Sequence, residues 1–279
     1  MQIITGKAKI AAVLGWPIEH SRSPLLHNFW LQRHQIDGAY IPLAVKAEDF
    51  KDVIQTMKAA GFKGCNVTIP HKEAAYQCCD IVDETAKKMG SVNTLWFTED
   101  GKICGTSTDG DGFIANLRDA GLVLTNKKIL ILGAGGAARS VAYSLLQENA
   151  QITITNRTLK RAEQLVQDLS SGRVIDWQSW TKELGGFDLL VNTTSLGMEG
   201  KEDFQFDLQN ASKNLVVTDI VYVPRITPLL KAAEQKGLKT VEGLGMLLHQ
   251  ARLGFSKWFG VDPIVDHELT EFVANSLKK

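Results

Sequence analysis

Short apolar runs along the chain alternate with longer stretches in which apolar residues recur at helical spacing, the pattern of strands buried between helices. Lys9–Gly15 reads as a first strand ending in a glycine. A helix is expected from Pro24 through His34, then a strand over 40–43. Residues 47–60 place Phe50, Val53, Ile54 and Met57 on one side of a helix that stops at Gly61. A strand over 64–69 follows, and 73–89 reads as one helix. Residues 91–97 and 102–105 form a hairpin about the Glu99-Asp100-Gly101 turn, so the first sheet is expected to be mixed. The second half repeats strand and helix: strands at 129–132, 151–155, 173–176, 187–192, 215–220 and 239–242. Helices are expected over 113–120, from the glycine turn to Glu148, up to Leu169, from Pro228, over 244–257, and over 261–277.

The most informative stretch runs from Lys127 to Thr158. The apolar run 129–132 feeds directly into Gly133-Ala134-Gly135-Gly136-Ala137-Ala138, then a helix, then a strand rich in β-branched residues. This is the nucleotide-binding βαβ pattern in its G-x-G-x-x-A form. Gly133 permits the tight turn, Gly135 lets the backbone approach a pyrophosphate, and Ala138 allows close helix–strand packing. The alternative is a tight structural turn in some other α/β domain. Where an acidic residue would hold the ribose hydroxyls of NAD, this chain has Asn156-Arg157-Thr158, with Arg161 close behind. Arg157 can pair with a 2′-phosphate and stack on adenine, so NADP is expected as cofactor.

Composition narrows the class. The chain has 279 residues, room for one large or two medium domains, and its 31 basic residues balance 31 acidic ones. That balance argues against a dedicated nucleic-acid or anionic-membrane surface. No apolar run approaches membrane-spanning length and no signal-peptide architecture opens the chain, so a cytoplasmic protein is expected. Cys65, Cys78, Cys79 and Cys104 form no C-x-x-C pair and read as reduced thiols with structural or incidental roles. His20, His27 and His34 recur every seven residues, the wrong spacing for a metal pair on a helix, so no metal is expected.

Polar segments follow several strands: HSRSP, NVTIPHK, GSVNT, TSTDGDG, NTTSLGM and DIVYVP. In an open α/β sheet ligands gather there, so a shared cleft is expected. Lys72 stands at a strand exit, where a lysine can transfer a proton or stabilise a developing alkoxide. Asp109 sits in what reads as a glycine-rich turn. Each has a plainer reading, Lys72 as a surface lysine and Asp109 as a turn former. Ser21 and Ser23 can equally cap the helix at Pro24. His71 is the other local acid/base, but as Lys72's neighbour it is expected to face solvent.

The chain resembles the shikimate dehydrogenase family along nearly its whole length. The resemblance is carried by GWPIEHSRSPLLHN, NVTIPHK, GSVNT, TSTDGDGF, GAGGAAR, NRT, NTTSLGM, DIVYVPRITPLL and GLGMLLHQ in matching order and spacing. It implies reversible reduction of 3-dehydroshikimate to shikimate with NADPH, in chorismate and aromatic amino-acid biosynthesis. It assigns Lys72 as the proton-transfer residue and Asp109 as its partner. Substrate contacts fall on Ser21, Ser23, Thr68, Lys72, Asn93, Asp109, Tyr222 and Gln250. Cofactor contacts fall on Gly133, Ala134, Gly135, Gly136, Ala137, Asn156, Arg157, Thr158 and Arg161, with Ile220 and Gly243 at the nicotinamide and Glu84 as a further position. Whether Lys72 is the acid/base or mainly an electrostatic clamp stays open. The chain departs from the family in Thr106 and Ser107, where asparagine or histidine is frequent, and in Thr193, where alanine is common.

The expected architecture is α/β with two domains. Residues 1–112 form a mixed-sheet substrate domain and 113–243 a Rossmann-like NADP-binding domain; by the resemblance, helices in 244–279 return to the first. A quinate/shikimate dehydrogenase of broader substrate or cofactor use is the enzyme rival, and a non-catalytic NADP-binding regulatory protein the rival of another class. The partners expected are shikimate and 3-dehydroshikimate, with the chain a monomer or a homodimer and the homodimer the default.

Overall fold

The computed structural model describes residues 4–200 and 204–278. The chain forms two compact units: residues up to Thr108 together with Gln250–Val273, and Asp109–His249 together with those from Ala274 onward.

The first unit contains β1 (Lys9–Gly15), α1 (Ser23–Arg33), β2 (Gly38–Ala44), α2 (Phe50–Ala59), β3 (Gly64–Val67), α3 (Lys72–Cys78), β4 (Ile81–Val82), α4 (Glu84–Met89), β5 (Thr94–Phe97) and β6 (Ile103–Thr106). Its six strands lie in the order β2-β1-β3-β5-β6-β4. β1 runs parallel to β2 and β3, whereas β5 is antiparallel to both β3 and β6, so the sheet is mixed as the hairpin pattern indicates. Phe50, Ile54 and Met57 of α2 are buried against Ala12, Leu14, Cys65, Val67 and Leu95 of the sheet. Periodicity alone therefore finds the buried face of α2, although 47–49 is a 3-10 turn rather than α-helix.

The expected single helix over 73–89 is two helices with a strand between them. Asp80 exchanges two bonds with Ile103, its N–H donating to the carbonyl and its carboxylate accepting the N–H, both at 2.8 Å. That pairing draws Ile81–Val82 alongside β6. Asp83 then caps α4 by accepting the Ala86 N–H at 2.8 Å. Two short carboxylates competing for backbone partners outweigh the helical spacing. The strand expected to reach Ile69 stops at Val67.

The second unit contains α5 (Asp109–Asp119), β7 (Lys128–Leu132), α6 (Gly136–Gln147), β8 (Gln151–Thr155), α7 (Leu159–Leu169), β9 (Arg173–Val174), α8 (Trp180–Glu183), β10 (Leu189–Asn192), β11 (Val216–Asp219), α9 (Pro228–Gln235) and β12 (Lys239–Val241). Its strands lie in the order β12-β11-β10-β7-β8-β9, all parallel. Counting from β7, this is the doubly wound dinucleotide order, with its switch point between β7 and β10. Alternate residues explain the unbroken apolar runs. Ile129, Ile131, Ile152 and Ile154 pack toward Val141, Leu145 and Leu165. Leu130, Leu132 and Leu190 pack on the other face toward Trp180, Leu229 and Leu230.

α10 (Leu244–Phe259) passes from the second unit into the first. From Gln250 onward it belongs to the first, where Trp258 Nε1 donates to the Leu95 carbonyl at 2.9 Å. The closing helix expected over 261–277 is shorter. α11 spans His267–Asn275, because Pro263 cannot continue a helical ladder and Asp266 accepts the Leu269 N–H at 3.0 Å.

All four cysteines are free thiols. Burial raises each above its ordinary value, Cys79 to about 12, which suppresses the nucleophilic thiolate. Among the described residues no cluster of His, Cys, Asp or Glu could hold a metal ion, and no helix is long and apolar enough to cross a membrane.

Candidate active site

In the first unit the named residues gather at one edge of the sheet. β1 and β3 end there, and β5, being antiparallel, begins there. Asn93 is buried immediately before β5 and takes part in a dense bonding pattern. Its Oδ1 accepts the Thr108 N–H at 2.9 Å, the Thr108 hydroxyl at 3.1 Å and the Thr94 hydroxyl at 3.0 Å. Thr108 also donates to Gln250 Oε1 at 3.3 Å. Beneath them, Asn66 Nδ2 donates to Thr94 Oγ1 at 3.0 Å and to the Asn93 carbonyl at 3.2 Å, while the Tyr40 hydroxyl donates to Asn66 Oδ1 at 2.5 Å. The structure thus joins Asn93 and Gln250 through Thr108, a residue to which the sequence pattern assigns no role.

Ser21 and Ser23 stand after β1, Ser23 buried and Ser21 half-buried. Ser21 Oγ accepts the Ser23 N–H at 3.3 Å, but the residue at the N-cap of α1 is Arg22, with no side-chain cap bond. Thr68 is fixed through its backbone to the Leu14 carbonyl at 2.9 Å, and its own carbonyl accepts the His71 N–H at 2.9 Å. Its methyl lies against Gly15, where a Cβ would stand 2.5 Å from it. Lys72 opens α3 and is half-buried; its carbonyl accepts the Val92 N–H at 2.9 Å, which sets it beside the segment carrying Asn93.

His71 does not face solvent. It is 1% exposed, its Nε2 donates to the Val45 carbonyl at 2.7 Å, and its ring stacks on Phe50 with centroids 4.6 Å apart. Phe50 of α2 takes the imidazole inward, and the Val45 carbonyl occupies its Nε2. The departure at Thr106 also has a cause: its hydroxyl donates to Asp83, the residue that caps α4. Glu84 is exposed beside that cap and paired with Lys87 at 2.7 Å, which holds its carboxyl below the usual range.

In the second unit, Gly133 leaves β7 with φ +110°, and a Cβ there would lie 2.6 Å from Thr193 Oγ1. Thr193 itself donates to the Leu132 carbonyl at 2.7 Å, so this departure from the family braces the glycine turn. Ala138 is fully buried against the sheet, as close helix packing requires. Gly135 and Gly136 differ: both are exposed, and an added Cβ at either would meet nothing within 4 Å. No packing reason demands glycine there. They lead, with half-buried Ala134 and Ala137, into a helix whose N-terminus has no side-chain cap and no acid in its first turn. Such an end presents free N–H groups and positive potential to an anion.

At the exit of β8, Asn156 Nδ2 donates to the Thr158 carbonyl at 2.9 Å and folds the turn that presents Arg157. Arg157, Thr158 and Arg161 are exposed, as is Lys160 between them; α7 also lacks an acid in its first turn. The adjacent free helix end and cation cluster fit a phosphorylated dinucleotide.

Asp109 lies in the first turn of α5, not in a glycine loop, and is half-buried. The polar string TSTDGDG hides this helix start because its glycines lower helix propensity. Tyr222 and Ile220 are half-buried after β11. Gly243 is buried, and a Cβ on it would stand 2.6 Å from both the Asp219 and Val221 carbonyls, so it has a packing role. Sequence reasoning missed the group joining these segments. Asn192 and Asp219, both fully buried, end β10 and β11 side by side, and Asp219 accepts bonds from Asn192, Val221 and Thr227. The available signal was an acidic residue closing an apolar strand run.

Comparison with known proteins follows this division. Residues 13–95 match the family model of the shikimate dehydrogenase substrate binding domain, 117–246 that of shikimate / quinate 5-dehydrogenase, and 243–266 that of the shikimate 5′-dehydrogenase C-terminal domain. The NADP(+) shikimate dehydrogenase of Gluconobacter oxydans (strain 621H) is 50% identical over 278 residues, covering 99% of each chain. Shikimate 5-dehydrogenase from Thermus thermophilus, solved with NADP(H) and shikimate, is 34% identical with TM-score 0.86, covering 96% of this chain and 99% of its own. Quinate dehydrogenase from Corynebacterium glutamicum, solved with NAD, is 26% identical with TM-score 0.89, covering 96% of this chain and 99% of its own.

Proposed function

The chain belongs to the shikimate dehydrogenase family, and from that premise we propose which of its residues carry the reaction. The reaction is the reversible NADPH-dependent reduction of 3-dehydroshikimate to shikimate, in aromatic amino-acid biosynthesis. The carrying observation is the pair of exposed glycines leading into the uncapped, acid-free N-terminus of α6. Beside it, at the exit of β8, cations stand where an NAD site would have an acid.

In this reading the first unit binds the substrate and the second the cofactor. Gly133 to Ala137 meet the pyrophosphate, and Asn156, Arg157, Thr158 and Arg161 hold the 2′-phosphate and adenine. Ile220 and Gly243 line the nicotinamide region, with Glu84 a further cofactor-side position. When bound, NADPH supplies the hydride to the carbonyl carbon. Lys72 donates a proton to the carbonyl oxygen as that oxygen gains charge, converting ketone to secondary alcohol; in the oxidising direction it takes the proton back. Asp109 accepts from a ring hydroxyl. Ser21 and Ser23 bind the carboxylate, while Thr68, Asn93, Tyr222 and Gln250 bind the remaining polar groups of the ring.

Initial rates with shikimate or quinate, each with NADP or NAD, test the reading. Turnover restricted to shikimate with NADP supports it. Comparable efficiency with quinate and NAD would instead favour the broader dehydrogenase, and cofactor binding without shikimate-dependent reduction of NADP would favour a regulatory protein. We take the chain to act in the cytoplasm as a homodimer; sedimentation showing only monomer would overturn the assembly.

A further inference from the structure

Asp219 makes a set of contacts that its place at the end of a strand does not require. Its Oδ2 accepts from Asn192 Nδ2 at 3.0 Å and from the Thr227 hydroxyl at 2.8 Å, and its Oδ1 accepts the Val221 N–H at 2.9 Å. The partners lie on the two chain segments that leave the carboxyl edge after β10 and β11. Asn192 starts the loop after β10: its Oδ1 accepts the Thr194 N–H at 3.1 Å and hydroxyl at 2.7 Å, and its Nδ2 also donates to the Leu196 carbonyl at 3.2 Å. Val221 lies in the loop that carries Ile220 and Tyr222. Thr227 caps α9, accepting the Leu230 N–H at 3.4 Å.

These pieces surround the glycine turn. Thr193 and Thr194 of the β10 loop are the atoms a side chain on Gly133 would strike, at 2.6 and 3.0 Å. The two loops are tied to each other where the Glu199 N–H donates to the Val223 carbonyl at 3.1 Å. At Gly243 a Cβ would stand 2.6 Å from the carbonyls of Asp219 and Val221, so the chain there admits no side chain. The adenine-side turn Asn156 to Thr158 leaves β8, on the opposite side of β7 from β10 and β11. One carboxylate therefore orders only the nicotinamide side of the edge.

Building on the NADP reading above, we propose that Asp219 is a positioning residue for the nicotinamide half of the cofactor. It holds the β10 and β11 exit loops in one arrangement against the glycine turn. A carboxylate is needed because three donors converge on it. A carboxamide of the same shape turns its NH2 toward Val221 or toward Asn192 and Thr227, and loses at least one bond in either orientation.

The test compares NADP+ with 2′,5′-ADP, which carries the 2′-phosphate and adenine but no nicotinamide, by calorimetric titration of the full chain. Asp219→Asn is expected to weaken NADP+ about tenfold, the loss of one hydrogen bond to a charged group, and to leave 2′,5′-ADP within about twofold. Thr227→Val, which removes the donor to Asp219 together with the cap of α9 and keeps the shape, should move NADP+ in the same direction by a few-fold, and Thr227→Ser should restore it. Unchanged NADP+ affinity in Asp219→Asn, or in Thr227→Val should the first variant fail to fold, overturns the proposal. Equal weakening of both probes overturns it too, because the residue would then support the unit as a whole. Wild-type protein that does not bind NADP+ would overturn the functional reading itself.

Discussion

The backbone N–H of Thr108 donates to Asn93 Oδ1 across 2.9 Å, with both residues buried. Because that oxygen also accepts the Thr94 and Thr108 hydroxyls, the carboxamide orientation is fixed. Asn93→Ala leaves the Thr108 N–H without its acceptor, a cost of about 1–3 kcal/mol. The expected result is a lower unfolding midpoint together with a raised KM for shikimate, and an unchanged KM for NADP. Equal changes in both KM values would contradict a substrate-side role.

Lys72 and His71 are neighbours with opposite settings, and a pair of variants separates them. Lys72→Ala should reduce turnover by roughly 10²- to 10⁴-fold while NADP binding persists. His71→Ala removes the ring stacked on Phe50 and the bond to the Val45 carbonyl, so it should lower stability and leave the pH–rate profile in place. A His71→Ala profile that loses an ionisation would return the acid/base role to the imidazole.

The βαβ unit around Gly133, and the parallel sheet it nucleates, can be read from the sequence because alternating apolar residues and a glycine turn are local signals. The hairpin about Gly101 is legible for the same reason. The split of 73–89 is not, since it depends on Asp80 pairing with Ile103 across 23 residues. His71 fails in the same way: only the packing of Phe50 turns the ring inward. Motif segments point to Lys72, Asn93 and Arg157, but the bond from Asn192 to Asp219 spans 27 residues and leaves no local spacing to recognise.

Glycines 133 and 135 should respond oppositely to alanine. At Gly133 the positive φ and the approach of Thr193 Oγ1 make any side chain strained, at a cost of at least about 1–2 kcal/mol. Gly135 has φ −93° and open space for a Cβ, so Gly135→Ala should keep or raise the unfolding midpoint. Its methyl group nevertheless stands where the backbone is proposed to meet the pyrophosphate, and NADP affinity should fall. Thermal melts with and without NADP check both; Gly135→Ala with wild-type affinity would displace the pyrophosphate from this turn.

Arg157 sets cofactor choice if its guanidinium meets the 2′-phosphate. Arg157→Ala removes a charge-assisted contact of about 1.5–3 kcal/mol, so KM for NADP should rise roughly 10- to 100-fold while that for NAD changes little. The ratio of kcat/KM for the two cofactors is the measurement. A parallel loss for both would show that Arg157 does not read the phosphate.

The same carboxylate proposed to order the nicotinamide side should make stability depend on pH. Burial pushes Asp219 from its ordinary 3.8 up to about 6, against the opposing pull of Asn192, Val221 and Thr227. Among the described residues no charged side chain is bonded to it. Between those two values the folded chain holds a proton that the unfolded chain has released. The contribution of Asp219 to stability is therefore greatest below the unfolded value and is lost as pH rises through about 6. A shift of this size corresponds to about 3 kcal/mol. Asparagine does not titrate, so the difference in unfolding free energy between wild type and Asp219→Asn should move against the wild type by about that amount from pH 4 to pH 7. Urea titrations at several pH values measure it, and a difference that stays level with pH would refute the shift. NADP affinity should run the other way, because the charged form accepts all three donors. It is expected to improve as pH rises through the same window, so the charge that costs the unliganded protein stability is the one that holds the cofactor loops in place.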